Sequence, residues 1–318
     1  MKKIYNKETI AGRVYEHNLA IKKVQNTDSE NYGKDFIGGS LDIATDEDCL
    51  NVITVEFTYV TPFTKSGTAN STYNALKKII EDGKTVLIDG KDAATLVSIS
   101  TAIGLKDFYT NRNGKEELVS AKKNDGGFVT IIDKLPKEDN KRNSFEIDML
   151  INGTKYVEAD PEKNIENDYL IVKGAAFNFR NAILPVEFVV KDPMGMKYFE
   201  SLDASPSNLI FTKVYGVINS ETIVRRIEEE SAFGEPVVKE YTRSIKEWVI
   251  TNAAKEPYPT DDAEAGITLE EVKKAMEDRN VYLAEVKRRQ DEYQATKASS
   301  VANTSAIGTT AASGAFNF

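Results

Sequence analysis

Aromatic side chains standing beside cations are the residue pattern in this chain with the clearest chemical meaning. Tyr15 lies beside Arg13, Phe36 beside Lys34, Phe63 beside Lys65, and Phe108-Tyr109 just before Arg112. Rings of this kind stack on unpaired bases while neighbouring cations follow the phosphate backbone. Stacking is worth about 1–3 kcal/mol per base, so a few such residues make a sequence-tolerant single-strand site. The pairs Lys22-Lys23 and Lys122-Lys123 add further charge. The expected nucleic-acid path therefore comprises Arg13, Tyr15, Lys22, Lys23, Lys34, Phe36, Phe63, Lys65, Phe108, Tyr109, Arg112, Lys122 and Lys123. Taken singly, each pair also fits ordinary rim packing. Phe57 and Tyr59 share parity with Ile53 and Val55 and read as core.

Catalytic chemistry finds no comparable support. His17 is the single histidine and Cys49 the single cysteine, so neither a His-rich metal site nor a nucleophile–base pair can be assembled. Gly83-Lys84-Thr85 ends like a phosphate-binding loop, but Lys78 stands where that loop needs glycine, and the tripeptide reads as a helix-to-strand turn. Asp46-Glu47-Asp48 and Glu228-Glu229-Glu230 lack calcium-loop spacing and read as solvated faces. The chain reads as a binding protein, not an enzyme, with no metal and no cofactor. Its 50 acidic and 41 basic residues leave a net charge of −9, and the acidity grows toward the C-terminus. That balance disfavours non-specific duplex binding, which depends on phosphate neutralisation, but leaves room for a local basic groove. One cysteine permits no internal disulfide and fits a reducing compartment. With no long apolar run and no apolar segment after Met1-Lys2-Lys3, a soluble cytoplasmic protein without a membrane partner is expected.

The elements that must carry these residues can be read from periodicity. Lys34–Gly90 predicts strand, turn, strand, amphipathic helix, strand. Ile37, Leu41 and Ile43 share one side of the first strand, and Phe36, Ser40 and Asp42 the other. Ile53, Val55, Phe57 and Tyr59 alternate in the second. Leu76, Ile79 and Ile80 follow at helical spacing from an Asn70 or Ser71 cap, and Gly83 closes the helix. Thr85–Gly90 is taken as the next strand. Before this stretch, Ile10, Gly12 and Val14 mark a strand with a bulge near Glu16–Asn18; Leu19 and Ile21 resume its apolar face. After it comes a long excursion, with a tight hairpin at Asn113-Gly114. A helix between the third and fourth strands of a small Greek-key barrel is the layout of an OB-fold.

The order recurs. Asp168–Asn181, Leu184–Asp192, the helix Pro193–Asp203 and Leu209–Ile218 repeat strand, strand, helix, strand, with a hairpin turn expected at Ile151–Thr154. Ile223–Ile250 reads as a long hairpin turning at Phe233–Pro236. Thr268 and Glu271 form a capping box ahead of an amphipathic helix. Leu269, Val272, Met276, Leu283, Val286 and Tyr293 follow a seven-residue pattern that Arg279 and Gln290 break. The expected fold is mainly β: tandem OB-like barrels with a C-terminal amphipathic helix and a flexible tail. The boundaries are a single-strand-binding OB domain at 1–136, a second OB-like domain with extended hairpin at 143–254, the helix at 267–296 and the tail at 297–318.

On Ile10–Val14, Phe36–Ile43, Val52–Tyr59 and Leu76–Gly90, the chain resembles the OB-fold single-stranded-DNA-binding proteins, particularly the divergent ones of bacteriophages. The resemblance implies sequence-tolerant binding and protection of single-stranded DNA in replication, recombination or repair, in the cytoplasm of a bacterial host. It also implies a tail whose tip, here Phe316 and Phe318, recruits replication or recombination proteins, although this tail lacks the acidic residues usual in bacterial members. Homo-oligomers fit the same reading. The alternative is a virion structural or assembly protein built from small β barrels, with the long hairpin and helix as subunit contacts.

Overall fold

The computed structural model of the protein describes residues 4–138, 141–160, 163, 165–229, 237–259 and 266–305. In chain order the first half contains β1 (Asn6–His17), β2 (Ala20–Lys23), β3 (Asp35–Ala44), β4 (Val52–Val60), α1 (Ser71–Asp82), α2 (Val86–Asp89), β5 (Leu96–Thr101), β6 (Ile103–Arg112), β7 (Lys115–Asp125) and β8 (Phe128–Ile131). The second half contains β9 (Asn143–Val157), β10 (Tyr169–Phe177), β11 (Ile183–Val190), α3 (Pro193–Ser201), β12 (Ile210–Glu229) and β13 (Val237–Ala253), and α4 (Leu269–Ser305) follows.

Two closed barrels result, with the same strand order. In the first, β1 pairs β3 and β5, β3 pairs β4, and β5 pairs β8. The ring closes where the end of β7 lies parallel to β4, with Asn124 opposite Val55, just before the chain turns into β8. In the second, β9 pairs β10 and β12, β10 pairs β11, β12 pairs β13, and β11 closes parallel on β13. Each ring has a helix between its third and fourth strands, α1 and α3. This is the OB arrangement in tandem, mainly β with a C-terminal helix. The tail tip, with Phe316 and Phe318, lies outside the described residues, as does the hairpin turn at 233–236.

Alternation explains most of the core. Ile37, Leu41, Ile43, Ile53, Val55 and Phe57 point into the first barrel, where Leu76 and Ile79 of α1 join them. Asn70 caps α1 by accepting from Thr72 N at 3.1 Å. Asn113 and Gly114, at φ 53° and 76°, supply the paired left-handed residues that a two-residue hairpin needs.

Three expectations fail for local reasons. Thr85–Gly90 is not a strand: the Thr85 hydroxyl accepts from Ile88 N and the Asp89 carboxylate from Thr85 N, so a one-turn helix forms instead. The fourth strand is β5, with Val97, Ile99 and Thr101 buried alternately. Ile151–Thr154 makes no turn, because β9 runs straight through it and accommodates β10 by a register shift at Lys173/Gly174. Ile21 is 41% exposed on the short β2, outside the core it was expected to join.

The barrels share one wall. The first half of β1 pairs antiparallel with β9 from Asn6 to Ile10, so a single sheet runs through both rings and their interiors form one apolar cluster. At this seam the buried Glu8 carboxyl accepts a hydrogen bond from Trp248 Nε1 at 2.7 Å, while its other oxygen has no partner. Burial pushes Glu8 up to about 8, and the Trp248 bond and the Lys122 charge offset this only in part. Lys122 reaches over from β7, with Nζ 4.6 Å from the Trp248 ring, and burial pushes it down to about 8 against the pull of Glu187, Glu247 and Glu8.

These shifts act in different pH windows. Glu8 stays protonated in the folded chain after its unfolded counterpart has ionised, so its contribution to stability falls between about pH 4.5 and 8. Lys122 loses its proton early in the folded state, so its contribution rises above about pH 8. Glu8→Gln retains an acceptor for the indole and removes the first slope. In urea unfolding, Glu8 should contribute a loss of up to about 1.4 kcal/mol per pH unit across the first window, and the variant should lack that decline relative to the unsubstituted protein. Equal slopes for the two would refute the assignment.

Candidate nucleic-acid interface

The structure sorts the expected path residues into two groups at opposite ends of β4. At its C-terminal end, Lys22 of β2 lies directly opposite Phe36 of β3. The Phe36 ring meets that of Tyr59 at 4.8 Å between centroids, tilted by 40°. Tyr59 is 45% exposed, contrary to the parity expectation. A register shift between Ile37 and Gly39, where β3 meets the last turn of β4, releases it from the interior. Phe63 is 63% exposed on the loop that follows, bridged to Ala69 through the backbone, with Lys65 exposed beside it. Lys34 donates to Asn31 Oδ1 at 3.0 Å, and Lys23 sits 3.2 Å from Asp35 across an exposed strand pair.

The second group lies on the β6–β7 hairpin. Because β7 runs parallel to β4, the hairpin leaves from the N-terminal end of β4, away from Phe36 and Tyr59. Phe108 and Arg112 are exposed on it. Tyr109 is held by α4: the Gln290 amide accepts from Tyr109 N at 2.9 Å and donates to Tyr109 O at 2.5 Å. Lys287 stands 5.5 Å over the Tyr109 ring and pairs with Glu116 at 2.6 Å. Arg279 grips Asp107 at 2.8 Å, the carboxylate being only 2% exposed. Further back, the Thr268–Glu271 capping box starts the helix, and Val272 and Ala275 anchor it against Phe177 and Phe211 at one end of the second barrel.

Three cations of the expected path make contacts within the fold. Lys122 donates to the Glu187 carbonyl and covers the Trp248 and Phe188 rings. Lys123 pairs with Asp125 at 2.9 Å and Glu56 at 3.6 Å. Arg13 pairs with Glu47 at 2.8 Å and donates to the Lys91 carbonyl, and Arg142 grips the same Glu47. Those two guanidinium groups hold the Glu47 carboxyl below the usual carboxylate range. Tyr15 stays on the outer face of β1, half-buried. His17 is half-buried as well, and desolvation lowers its pKa. Among the described residues, no group of three or more His, Cys, Asp and Glu could hold a metal ion, and no helix is long and apolar enough to cross a membrane.

Sequence reasoning missed Tyr59 and the helix contacts. The breaks in the heptad were the available signal: Arg279 and Gln290 interrupt the apolar stripe because they face the polar hairpin.

Two barrels sharing a wall, with a helix strapped along a projecting hairpin, define a mainly β, tandem-barrel class of protein. Within that class the chain belongs to the YorF family, whose model matches residues 5–289. No curated protein matches the chain. Among solved structures it is similar to a deletion mutant of the single-stranded DNA binding protein from Thermus aquaticus, at 10% identity and a TM-score of 0.44 over 82% of this chain and 100% of that one.

The helix strap makes a direct prediction. Arg279→Ala leaves the Asp107 carboxylate buried with Ser120 as its remaining partner, and removing one member of a buried pair costs about 3 kcal/mol. Urea unfolding should show that loss. A change within error would mean that α4 does not hold the hairpin through this pair.

Proposed function

We propose that the protein binds single-stranded DNA with little sequence preference and shields it during replication, recombination or repair. The observation that carries this reading is the Phe36–Tyr59 ring pair at one end of the first barrel, Tyr59 exposed and Phe36 half-buried, with Lys22 directly opposite Phe36. Phe63 and Lys65 extend the same surface. Rings give a strand something to stack on irrespective of sequence, and the lysines meet its phosphates. Nearby acids, Asp35 and Glu56, together with the net charge of −9, favour a site in which stacking outweighs phosphate contact. On this reading the protein works in a bacterial cytoplasm, phage-encoded, and Phe316 and Phe318 of the tail contact replication or recombination proteins.

A second reading, an assembly module for a particle, draws on α4. Leu269, Met276, Val281, Tyr282 and Tyr293 are all about half or more exposed along it, as a subunit contact would require.

Fluorescence anisotropy of a labelled dT oligonucleotide decides between them. The single-strand reading expects binding that duplex DNA competes for poorly. Tyr59→Ala and Phe36→Ala should each weaken it by roughly 5- to 100-fold, the equivalent of one lost stack. Lys22→Ala should reduce the slope of log affinity against log salt by about 0.7, as expected for one phosphate contact on a single strand. Absence of binding at micromolar protein in low salt would sink this reading, and ordered particles formed without nucleic acid would establish the second.

A further inference from the structure

The outer face of the shared wall carries a second arrangement of aromatic, cationic and hydroxyl side chains, away from Phe36 and Tyr59. Directly opposed residues on neighbouring strands point to the same side of a sheet, so the register places side chains in crosswise rows. One row is Lys7, Glu146, Tyr215 and Asn252, across β1, β9, β12 and β13. The next is Ser144, Thr9, Ser100 and Phe128, across β9, β1, β5 and β8. Tyr215 is 37% exposed at one end and Phe128 75% exposed at the other. Four inter-strand steps separate their strands, on the order of 19 Å along the sheet. On the Tyr215 side the surface sinks into a groove of about 390 Å³, lined by Lys7, Thr9, Ser144, Glu146, Tyr215 and Asn252 among others.

The charges in the groove are unequal in their availability. Glu146 is neutralised by Lys213 at 2.6 Å. Lys7 is exposed and makes no ion pair among the described residues. The Asn252 carbonyl accepts from Ala253 N, which leaves its amide NH₂ as a donor. The inner strands of the strip offer no edge: β1, β5, β9 and β12 are each hydrogen-bonded on both sides, while β8 pairs only β5 and has Val129 N capped by the Thr72 hydroxyl of α1. An extended peptide could not add itself to any of these four inner strands, the usual way a β surface captures a peptide. A ligand for this face must bind through its own flat faces and polar edges.

We propose that this strip is a second single-strand subsite, taking a few further nucleotides of the same strand. One base stacks on Tyr215 and another on Phe128. Lys7 meets a phosphate between them, and the hydroxyls of Ser144, Thr9 and Ser100, with the Asn252 amide, bond sugar and base edges. The footprint then spans both barrels rather than the first alone. This rests on the single-strand reading above, and its test separates the two.

Trp248 is the single tryptophan and is 1% exposed, so a tryptophan introduced on the strip reports locally against a constant background. Tyr215→Trp and Phe128→Trp are each titrated with a dT oligonucleotide of about 20 nucleotides, long enough for several stacks, while anisotropy is followed on the same samples. Both introduced tryptophans should be quenched with the midpoint that anisotropy gives, beyond any change in the unsubstituted protein. In parallel, Lys7→Gln combined with Phe128→Ser should weaken binding at least about fivefold, with an unchanged urea midpoint. If anisotropy reports binding that Tyr59→Ala weakens while neither tryptophan is quenched, the strip proposal is overturned and the first site stands. If no oligonucleotide binds at all, both are overturned.

Discussion

Strand β1 has only two edges, yet it serves three partners. β5 takes one edge from Glu8 to Arg13, while the other is divided between β9 at the N-terminal half and β3 at the C-terminal half. The division is what makes two barrels from one sheet. It falls around Ala11, whose N–H donates to the Arg142 carbonyl, and Gly12, where a Cβ would stand 2.1 Å from the Ala44 carbonyl oxygen. No side chain fits where three strands converge so closely. Gly216 answers it in the second ring, since a Cβ there would meet the Val249 carbonyl at 2.1 Å and the Phe145 ring at 2.3 Å.

A seam built from continuous sheet and continuous core would be satisfied by apolar side chains alone, but this one contains polar groups. Glu8, Trp248 and Lys122 lie together in it, Asn6 donates to the carbonyls of Ile103 and Phe177, and Asn51 exchanges hydrogen bonds with Ile218 O and Ser220 N. Buried groups of this kind seldom add net stability, because desolvation offsets most of their attraction. Their geometry is directional where apolar packing is not. They admit one register between the barrels, and the Lys122 contact ties the β6–β7 hairpin to that register from the outside. The strap formed by α4 then fixes the hairpin from its other flank.

How much of this was legible in the sequence depended on the range of the deciding contact. Strand parity at Ile37–Ile43 and Ile53–Phe57, the Asn70 cap, the Asn113-Gly114 turn and the Thr268–Glu271 box are decided within a few residues, and all could be read. Thr85–Gly90 failed even at short range, because its apolar content suits a strand while the Thr85 and Asp89 side chains satisfy the backbone as a helical turn. Tyr59 failed because parity assumes an unshifted ladder. The partners of the cations had no local mark. Lys122 and Lys123 look alike in sequence, yet one is drawn to Trp248 on the far barrel and the other to Asp125 beside it. Only the fold shows that Tyr109, Lys122 and Lys123 of this basic-aromatic segment brace the structure, while Phe108 and Arg112 stay exposed.

That bracing also determines where a polyanion meets positive charge. On the outer surface, Arg13 and Arg142 share Glu47, Lys123 is taken by Glu56 and Asp125, Lys213 by Glu146, and Lys191 by Glu247. Each such pair is worth little to stability at an exposed site, but it removes a cation from the field a phosphate would see. In a chain of net charge −9, the cations left over count for more than their number suggests. Lys22 stands opposite the half-buried Phe36, and Lys7 shares a crosswise row with the exposed Tyr215, two strands away. On the single-strand reading proposed above, this charge pattern disfavours a uniform polyanion such as duplex DNA, whose bases are hidden. The same reading asks for a ligand that offers bases to the rings before its phosphates meet the lysines, and unpaired bases are a property of single strands.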